Sequence, residues 1–350
     1  MKPRPLLLAP DFVPRIWGVR SLAPLFPAKS DLPEPIGEVW LTGNQCRFLD
    51  DPFSGAALGD AWPSFPPAWA GSAINTQAPF PLLLKFIFPA EKLSVQVHPD
   101  DDYARAHEFA RGGIGKTETW HVISAQPGAA VLVGLKPQVT PDLFRRAIAD
   151  GTADSCLETI PVSAGDQIFV PAGTMHTIGP GMILCEIQQN SDITYRVFDY
   201  NRLTPEGRPR ELHVEKALAV ARFGPQLGGK ISPVRLASGH LAETFYVACR
   251  YFAVEKWEFT ARIGAVTHPA RFELLVILSG SGRLEWQADS APFSAAQVWL
   301  LPASLGAYQL SPDGPAAVLR TFVPDVERDV RSRLRDRRVP ESDLARIVFP

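Results

Sequence analysis

Residues that interrupt regular backbone are spread densely through this chain, which fits β architecture better than long helices. There are 34 prolines and 26 glycines in 350 residues. Proline removes a backbone donor and fixes φ, and glycine favours turns, so the chain must be built from many short elements, which suits β architecture. With 46% apolar residues and a formal charge of −2, it can bury a real core and is not a disordered polymer. The near balance of 35 basic and 37 acidic side chains gives no long-range pull on nucleic acid or anionic lipid, and neither is expected as a partner. The most apolar run, Pro79–Pro89 (PFPLLLKFIFP), is too short to span a bilayer and is broken by Lys85. The leucines of the N-terminal MKPRPLLLAP are followed at once by Pro10, Asp11 and Arg15, which leaves too short a core for a signal peptide. Cys46, Cys156, Cys185 and Cys249 are dispersed, with no Cys-x-x-Cys pair. That pattern points to reduced thiols and a cytoplasmic location, not to a disulfide framework or a thiolate zinc site.

Alternating or apolar strand patterns occur at Lys92–His98, Trp120–Ile123, Ala130–Val133, Gln167–Pro171, Ile183–Gln188 and Tyr246–Phe259. They continue at Phe272–Leu278, Gly282–Trp286, Val298–Leu301 and Val318–Phe322. Helical patterns are fewer. Asp101–Arg111 has an acidic first turn, and Glu211–Phe223 holds a helical period. In Thr140–Asp150, Thr140 is the N-cap, Pro141 suits the first turn, and Leu143, Phe144, Ala147 and Ile148 form an apolar stripe. Asp325–Arg338 reads as a charged, solvated helix capped by Asp325.

Gly165–Thr177 (GDQIFVPAGTMHT) and Ala296–Tyr308 (AQVWLLPASLGAY) share a small residue, a strand and a Pro-Ala turn at an offset of 131 residues. The expectation is two related β-barrels. Only the first keeps polar site groups: Ala307 aligns with His176. Gly224–Pro233 is the expected linker.

Two of the seven histidines stand out by context. His98 ends the alternating run Gln96-Val97-His98, where positions two apart share a face of the strand. His176 follows the Pro171-Ala172-Gly173 turn. Between them, Gly115-Lys116-Thr117-Glu118 would put Lys116 and Glu118 on one face if the segment is strand. Two imidazoles, a carboxylate and an amide oxygen form an N/O set for a divalent metal, with coordination positions left for water or substrate.

In combination these motifs resemble a known family. Gly165–His176 is similar to the second motif of cupins. Ser94-Val95-Gln96-Val97-His98-Pro99-Asp100-Asp101, Gly115-Lys116-Thr117-Glu118, Val170–His176 and Glu186–Arg196 (EIQQNSDITYR) together resemble the type I mannose-6-phosphate isomerases in their short bacterial form. Ile16-Trp17-Gly18 and Gly37-Glu38-Val39-Trp40 are minor matches. The resemblance covers roughly residues 10–220 and thins out beyond.

The resemblance implies a mainly β fold of two cupin-type β-barrels (jelly rolls), with a few helices in the connections. Residues 1–225 would form the catalytic metal-binding domain with helical insertions; 226–350, assigned by the repeat alone, would form a second, degenerate cupin domain without a metal site. It implies one zinc ion per chain, with other divalent metals also able to bind, held by Gln96, His98, Glu118 and His176. The implied reaction interconverts mannose 6-phosphate and fructose 6-phosphate by proton transfer between C1 and C2. Arg196 matches the family's catalytic arginine, Lys116, Glu186 and Asp192 match polar pocket residues, and Ser94 matches a residue near the substrate phosphate. Lys116 and Glu186 are both candidates for the proton shuttle, with metal-bound water as a third. The rival readings are an isomerase of unphosphorylated mannose, a metal-dependent cupin oxygenase and a non-enzymatic sugar-phosphate-binding module. The expected partner is a small sugar phosphate, and the chain is expected to be a monomer or weak homo-oligomer.

Overall fold

A computed structural model of the chain describes residues 2–204 and 206–350. It is mainly β, and it divides into two compact units. One contains Phe12–Val39 and Leu83–Lys230. The other contains the chain up to Asp11, Trp40–Leu82 and Ile231–Pro350. The crossover at Lys230 falls close to the expected boundary at residue 225. The N-terminal segment and residues 40–82, expected in the first domain, group with the C-terminal residues instead. Leu6–Leu8 pairs with Val298–Leu301 as an edge strand, and Trp62 packs edge-on against Phe272 with ring centroids 5.5 Å apart.

In the first unit a seven-stranded sheet runs, in spatial order, Gly229–Lys230, Gln167–Val170, Glu118–Ala125, Met182–Gln189, Leu82–Ile87, Ile36–Trp40 and Asp11–Val19. A five-stranded sheet runs Tyr195–Phe198, Val95–Val97, His176–Ile178, Ala130–Leu135 and Leu157–Pro161. Trp17, Trp120, Ile168, Val131 and Ile178 form a core drawn from both sheets. A second core, built on Val95, Val97, Phe144 and Tyr195, takes in the helical connections. Each fully buried large apolar side chain stabilises by about 1.5–3 kcal/mol.

The C-terminal unit repeats this plan. Its seven-stranded sheet runs Leu6–Leu8, Val298–Leu301, Glu273–Ser279, Ala316–Phe322, Ala253–Phe259, Leu241–Ala248 and Val234–Ser238. A four-stranded sheet runs Ile263–Val266, Ala307–Pro312, Ser281–Trp286 and Asp289–Ser294. Gln167–Val170 and Val298–Leu301 are the strands related by the sequence repeat, and they hold the same place in their sheets. The sheets are open and do not close into the barrels expected from the sequence: each ends on edge strands. No helix among the described residues is long and apolar enough to cross a membrane.

Local structure departs from the sequence reading in instructive places. The Asp101–His107 helix is capped by Asp100, whose side chain accepts from the Tyr103 amide at 2.8 Å. Pro141–Ala149 is capped by Thr140 as expected, but of the proposed stripe Phe144 is fully buried while Leu143 lies exposed. The helical run in Glu211–Phe223 shrinks to Val214–Val220. Tyr246–Phe259 is two antiparallel strands, Leu241–Ala248 and Ala253–Phe259, rather than one. The charged segment after Asp325 is a π-helix over Val326–Ser332 followed by Arg333–Asp336, and it is not simply solvated. Val330 and Leu334 are buried, and buried Asp329 accepts from Arg271 at 2.7 Å.

Candidate metal centre and catalytic pocket

Three side chains remote in sequence converge in the first unit. The Gln96 strand pairs with the His176 strand, so the segment ending at His98 and the one opening at His176 lie side by side in the five-stranded sheet. Glu118 opens the Glu118–Ala125 strand of the seven-stranded sheet. Gly173 sits at φ +84° in the turn before His176, a conformation that glycine adopts without a Cβ clash. The potential ligand atoms of His98, Glu118 and His176 lie within 4.8 Å of one another, and all three residues are buried.

Tautomers are set by the backbone. His98 Nδ1 lies 2.8 Å from the Ile193 carbonyl, and His176 Nδ1 lies 2.9 Å from the Thr174 carbonyl. A carbonyl only accepts, so each Nδ1 carries the proton and each Nε2 presents its lone pair. The two Nε2 atoms stand 3.5 and 3.3 Å from the Glu118 carboxylate. Burial, then the Lys116 ammonium, holds His98 neutral by lowering its pKa well below the usual value. Burial likewise pushes His176 down to about 4. Neutral imidazoles around a carboxylate are the donor set that a divalent ion such as zinc requires, so the residues present fit the group. The Gln96 amide ends 3.3 Å from His176 Nε2 and accepts from Ser94 Oγ at 3.2 Å; turning the amide over would aim its oxygen at the cluster.

The cluster lies at the inner end of a pocket of about 640 Å³. Every expected site residue except the two histidines lines it: Ser94, Gln96, Lys116, Glu118, Glu186, Asp192 and Arg196. Lys116 Nζ sits 2.7 Å from Glu118 and 3.1 Å from His98 Nε2, and 3.7 Å from Glu186. Glu186 is buried, and burial raises its pKa, with Glu118 adding to the rise and Lys85 opposing it. Arg196 donates through Nε to Ser94 Oγ at 3.2 Å and through Nη1 to the Glu211 carbonyl at 3.1 Å. Its side chain is thus fixed by neighbours other than Asp192, whose own carbonyl accepts from Arg111.

Several pocket residues escape sequence reasoning. Lys85 is buried, 3.3 Å from Glu186 and 3.9 Å from Glu38, and Glu38 in turn accepts from Arg15 at 2.9 Å. Its signal was present: a lysine inside a strand buried on both faces must find carboxylates. Arg15, Arg111, Arg210 and His213 also line the pocket, brought in from loops and the Asp11–Val19 strand. His121 lies apart, on the other face of its strand from Glu118, with Nδ1 3.1 Å from Gln167 Oε1.

The fold and this cluster define a metal-site protein of cupin type. Residues 242–321 match the family described as mannose-6-phosphate isomerase, cupin domain. The probable mannose-6-phosphate isomerase GmuF of Bacillus subtilis is 34% identical over 310 residues, covering 87% of this chain and 96% of that protein. The mannose-6-phosphate isomerase of Streptococcus mutans is also 34% identical, covering 88% and 96%. The crystal structure of the mannose 6-phosphate isomerase from B. subtilis superposes with a TM-score of 0.82 at 30% identity, covering 91% of this chain and 99% of that one. A zinc-bound mannose 6-phosphate isomerase structure shares the fold at 16% identity and a TM-score of 0.68. The chain belongs to the mannose-6-phosphate isomerase family.

Proposed function

We propose that this protein interconverts mannose 6-phosphate and fructose 6-phosphate in the pocket described above. One observation carries the reading: the His98, Glu118 and His176 ligand atoms gather at the inner end of a pocket that also presents Lys116, Glu186 and Arg196. It does so in a chain that aligns over 96% of the length of each of two proteins named as probable or established mannose-6-phosphate isomerases.

The chemical difficulty is the acidity of a carbon next to a carbonyl. A divalent ion, zinc in our reading, held by His98, Glu118, His176 and the Gln96 amide oxygen, supplies Lewis-acid polarisation of the sugar oxygens when bound. Arg196, held by Ser94 and the Glu211 carbonyl, presents a fixed positive group to the developing enediolate. Glu186 carries the proton between C1 and C2: it is a buried carboxylate in the pocket, and burial raises its pKa above the usual carboxylate value, which makes it a stronger base. Lys116, bonded to Glu118, orients that carboxylate and adds positive charge. Arg15, Arg111 and Arg210, paired with Glu38, Glu108 and Asp199, form a guanidinium rim whose remaining donors can bind a phosphate, with Ser94 and Asp192 contacting the substrate. This rim favours the phosphorylated sugar over free mannose. The four cysteines are unpaired, and Cys46, Cys185 and Cys249 are buried, which supports a reducing cytoplasmic setting.

The test is to give purified, zinc-loaded protein fructose 6-phosphate in heavy water and follow the sugars by NMR. Mannose 6-phosphate should form, with deuterium entering at C2 where the carried proton exchanges with solvent. A folded, metal-loaded protein that forms no mannose 6-phosphate would refute the assignment.

A further inference from the structure

The common strand order allows the two units to be compared residue by residue. In the first, Glu118 faces Val170 across the sheet, and Trp120, two residues on, faces Glu186. In the C-terminal unit, Glu273 faces Leu301, and Leu275, two residues on, faces Arg320. Val170 and Leu301 end the two strands related by the repeat. Glu273 therefore holds the place of Glu118, and Arg320 that of Glu186.

On the opposite sheet, sequence alignment sets Ala307 against His176. The structure moves this by one residue. Ala307 is exposed, and the first inward side chain after the turn is Tyr308, a member of the unit's core. The turn in this unit is a 3-10 segment, Ala303–Leu305, followed by Gly306, which shifts the facing of the next strand. Tyr308 pairs with Ala265 as His176 pairs with Gln96, so Ala265 and Thr267 stand where Gln96 and His98 stand. Three of the four ligand positions are thus changed, and the glutamate is kept.

What now meets that glutamate is Arg320. Its Nε and Nη2 donate to the two oxygens of Glu273 at 2.8 and 2.5 Å, and its Nη1 donates to Glu255 at 3.1 Å. Glu255 also accepts from Arg333 at 2.7 Å. Arg320 is buried, and the Tyr308 hydroxyl is buried among Glu273, Arg320 and Glu255. A fixed bidentate guanidinium satisfies an inward carboxylate as a bound cation would, and a guanidinium cannot dissociate from the chain.

We propose that the C-terminal unit is a retired metal centre in which the guanidinium of Arg320 has taken over the place and charge of a divalent ion beside Glu273. The comparison rests on the metal reading of the first pocket. On that reading the chain would load a single ion, although the cavity beside Arg320 is as large as the first pocket, about 640 Å³ in each case.

The test is made in a His176→Ala background, where the first pocket should bind no zinc. In that background, reversion of the inner residues by Thr267→His, Tyr308→His and Arg320→Glu should restore one equivalent of zinc, measured by equilibrium dialysis and elemental analysis. A folded reversion variant with no zinc would overturn the proposal. If the reversion does not fold, Arg320→Met and Arg320→Lys decide. Arg320→Met should lower the melting temperature and regain part of it in millimolar magnesium or zinc, while Arg320→Lys, which keeps the charge, should melt near the parent. Equal damage from Met and Lys, or no response of Arg320→Met to divalent ions, would equally overturn it. Zinc still bound in the His176→Ala parent would instead count against the metal reading of the first pocket.

Discussion

Lys85 Nζ lies 3.3 Å from Glu186 Oε1, and both side chains are buried at the pocket floor. Burial alone would lower the lysine's pKa, but Glu186 and then Glu38 outweigh it and hold the ammonium charged. Removing one member of such a pair strands the other. Lys85→Met should destabilise the fold by about 3–5 kcal/mol, because Glu186 and Glu38 lose their shared cation. Adding Glu186→Gln should return part of that loss. Urea unfolding of the two single variants and the double variant measures the coupling, and additive losses would show that the pair contributes nothing jointly.

The metal-free protein should weaken in acid. His98 and His176 have folded pKa values below the unfolded value of about 6.5, so the unfolded chain binds the protons that the folded one refuses. Their contribution is complete above about pH 6.5 and is lost as pH falls towards about 4 for His176, a window in which that residue alone accounts for about 3 kcal/mol. Denaturant melts of chelated protein at pH 7 and pH 5 would show the fall. In His176→Ala the slope should flatten, and an unchanged slope would contradict the assignment.

Arg196→Lys should reduce kcat by about 10²–10³, the scale of losing one preorganised donor to a developing anion. Lysine cannot reproduce the guanidinium's simultaneous hold on Ser94 and the Glu211 carbonyl. Steady-state kinetics with fructose 6-phosphate decides it; a variant of full kcat with only KM raised would move Arg196 from the reacting centre to substrate binding.

Glu118→Gln should lose metal and activity together. The neutral amide keeps the shape but gives up the charge that draws an ion between the two imidazoles. Elemental analysis and turnover on the same sample are the check. Turnover retained without bound metal would remove Glu118 from the ligand set.

The site was more legible in the sequence than the sheets around it. Gln96 and His98, two apart, and His176 after a glycine turn carry local patterns that survive folding. The Lys92–His98 pattern nevertheless forms a strand only over Val95–Val97. Arg15 and Arg111 could not be placed from local pattern, because Arg15 donates to Glu38, 23 residues on, and Arg111 to the Asp192 carbonyl, 81 residues on. The slip from Ala307 to Tyr308 has the same cause: one residue in a turn reverses which side chains face the core, and identity matching cannot see facing. The edge position of Leu6–Leu8 was hidden too, since its partner strand lies almost 300 residues later.

His176 and His98, the latter one residue past its strand, belong to the five-stranded layer, while Glu118 belongs to the seven-stranded one. An ion seated among them therefore works as a rivet through both layers. The ion can come and go through the pocket, but while it is bound it ties the layers together, so the loaded unit should open more slowly than the metal-free one. Amide exchange along Val95–Val97 and Glu118–Ala125 should therefore quicken once a chelator has emptied the centre.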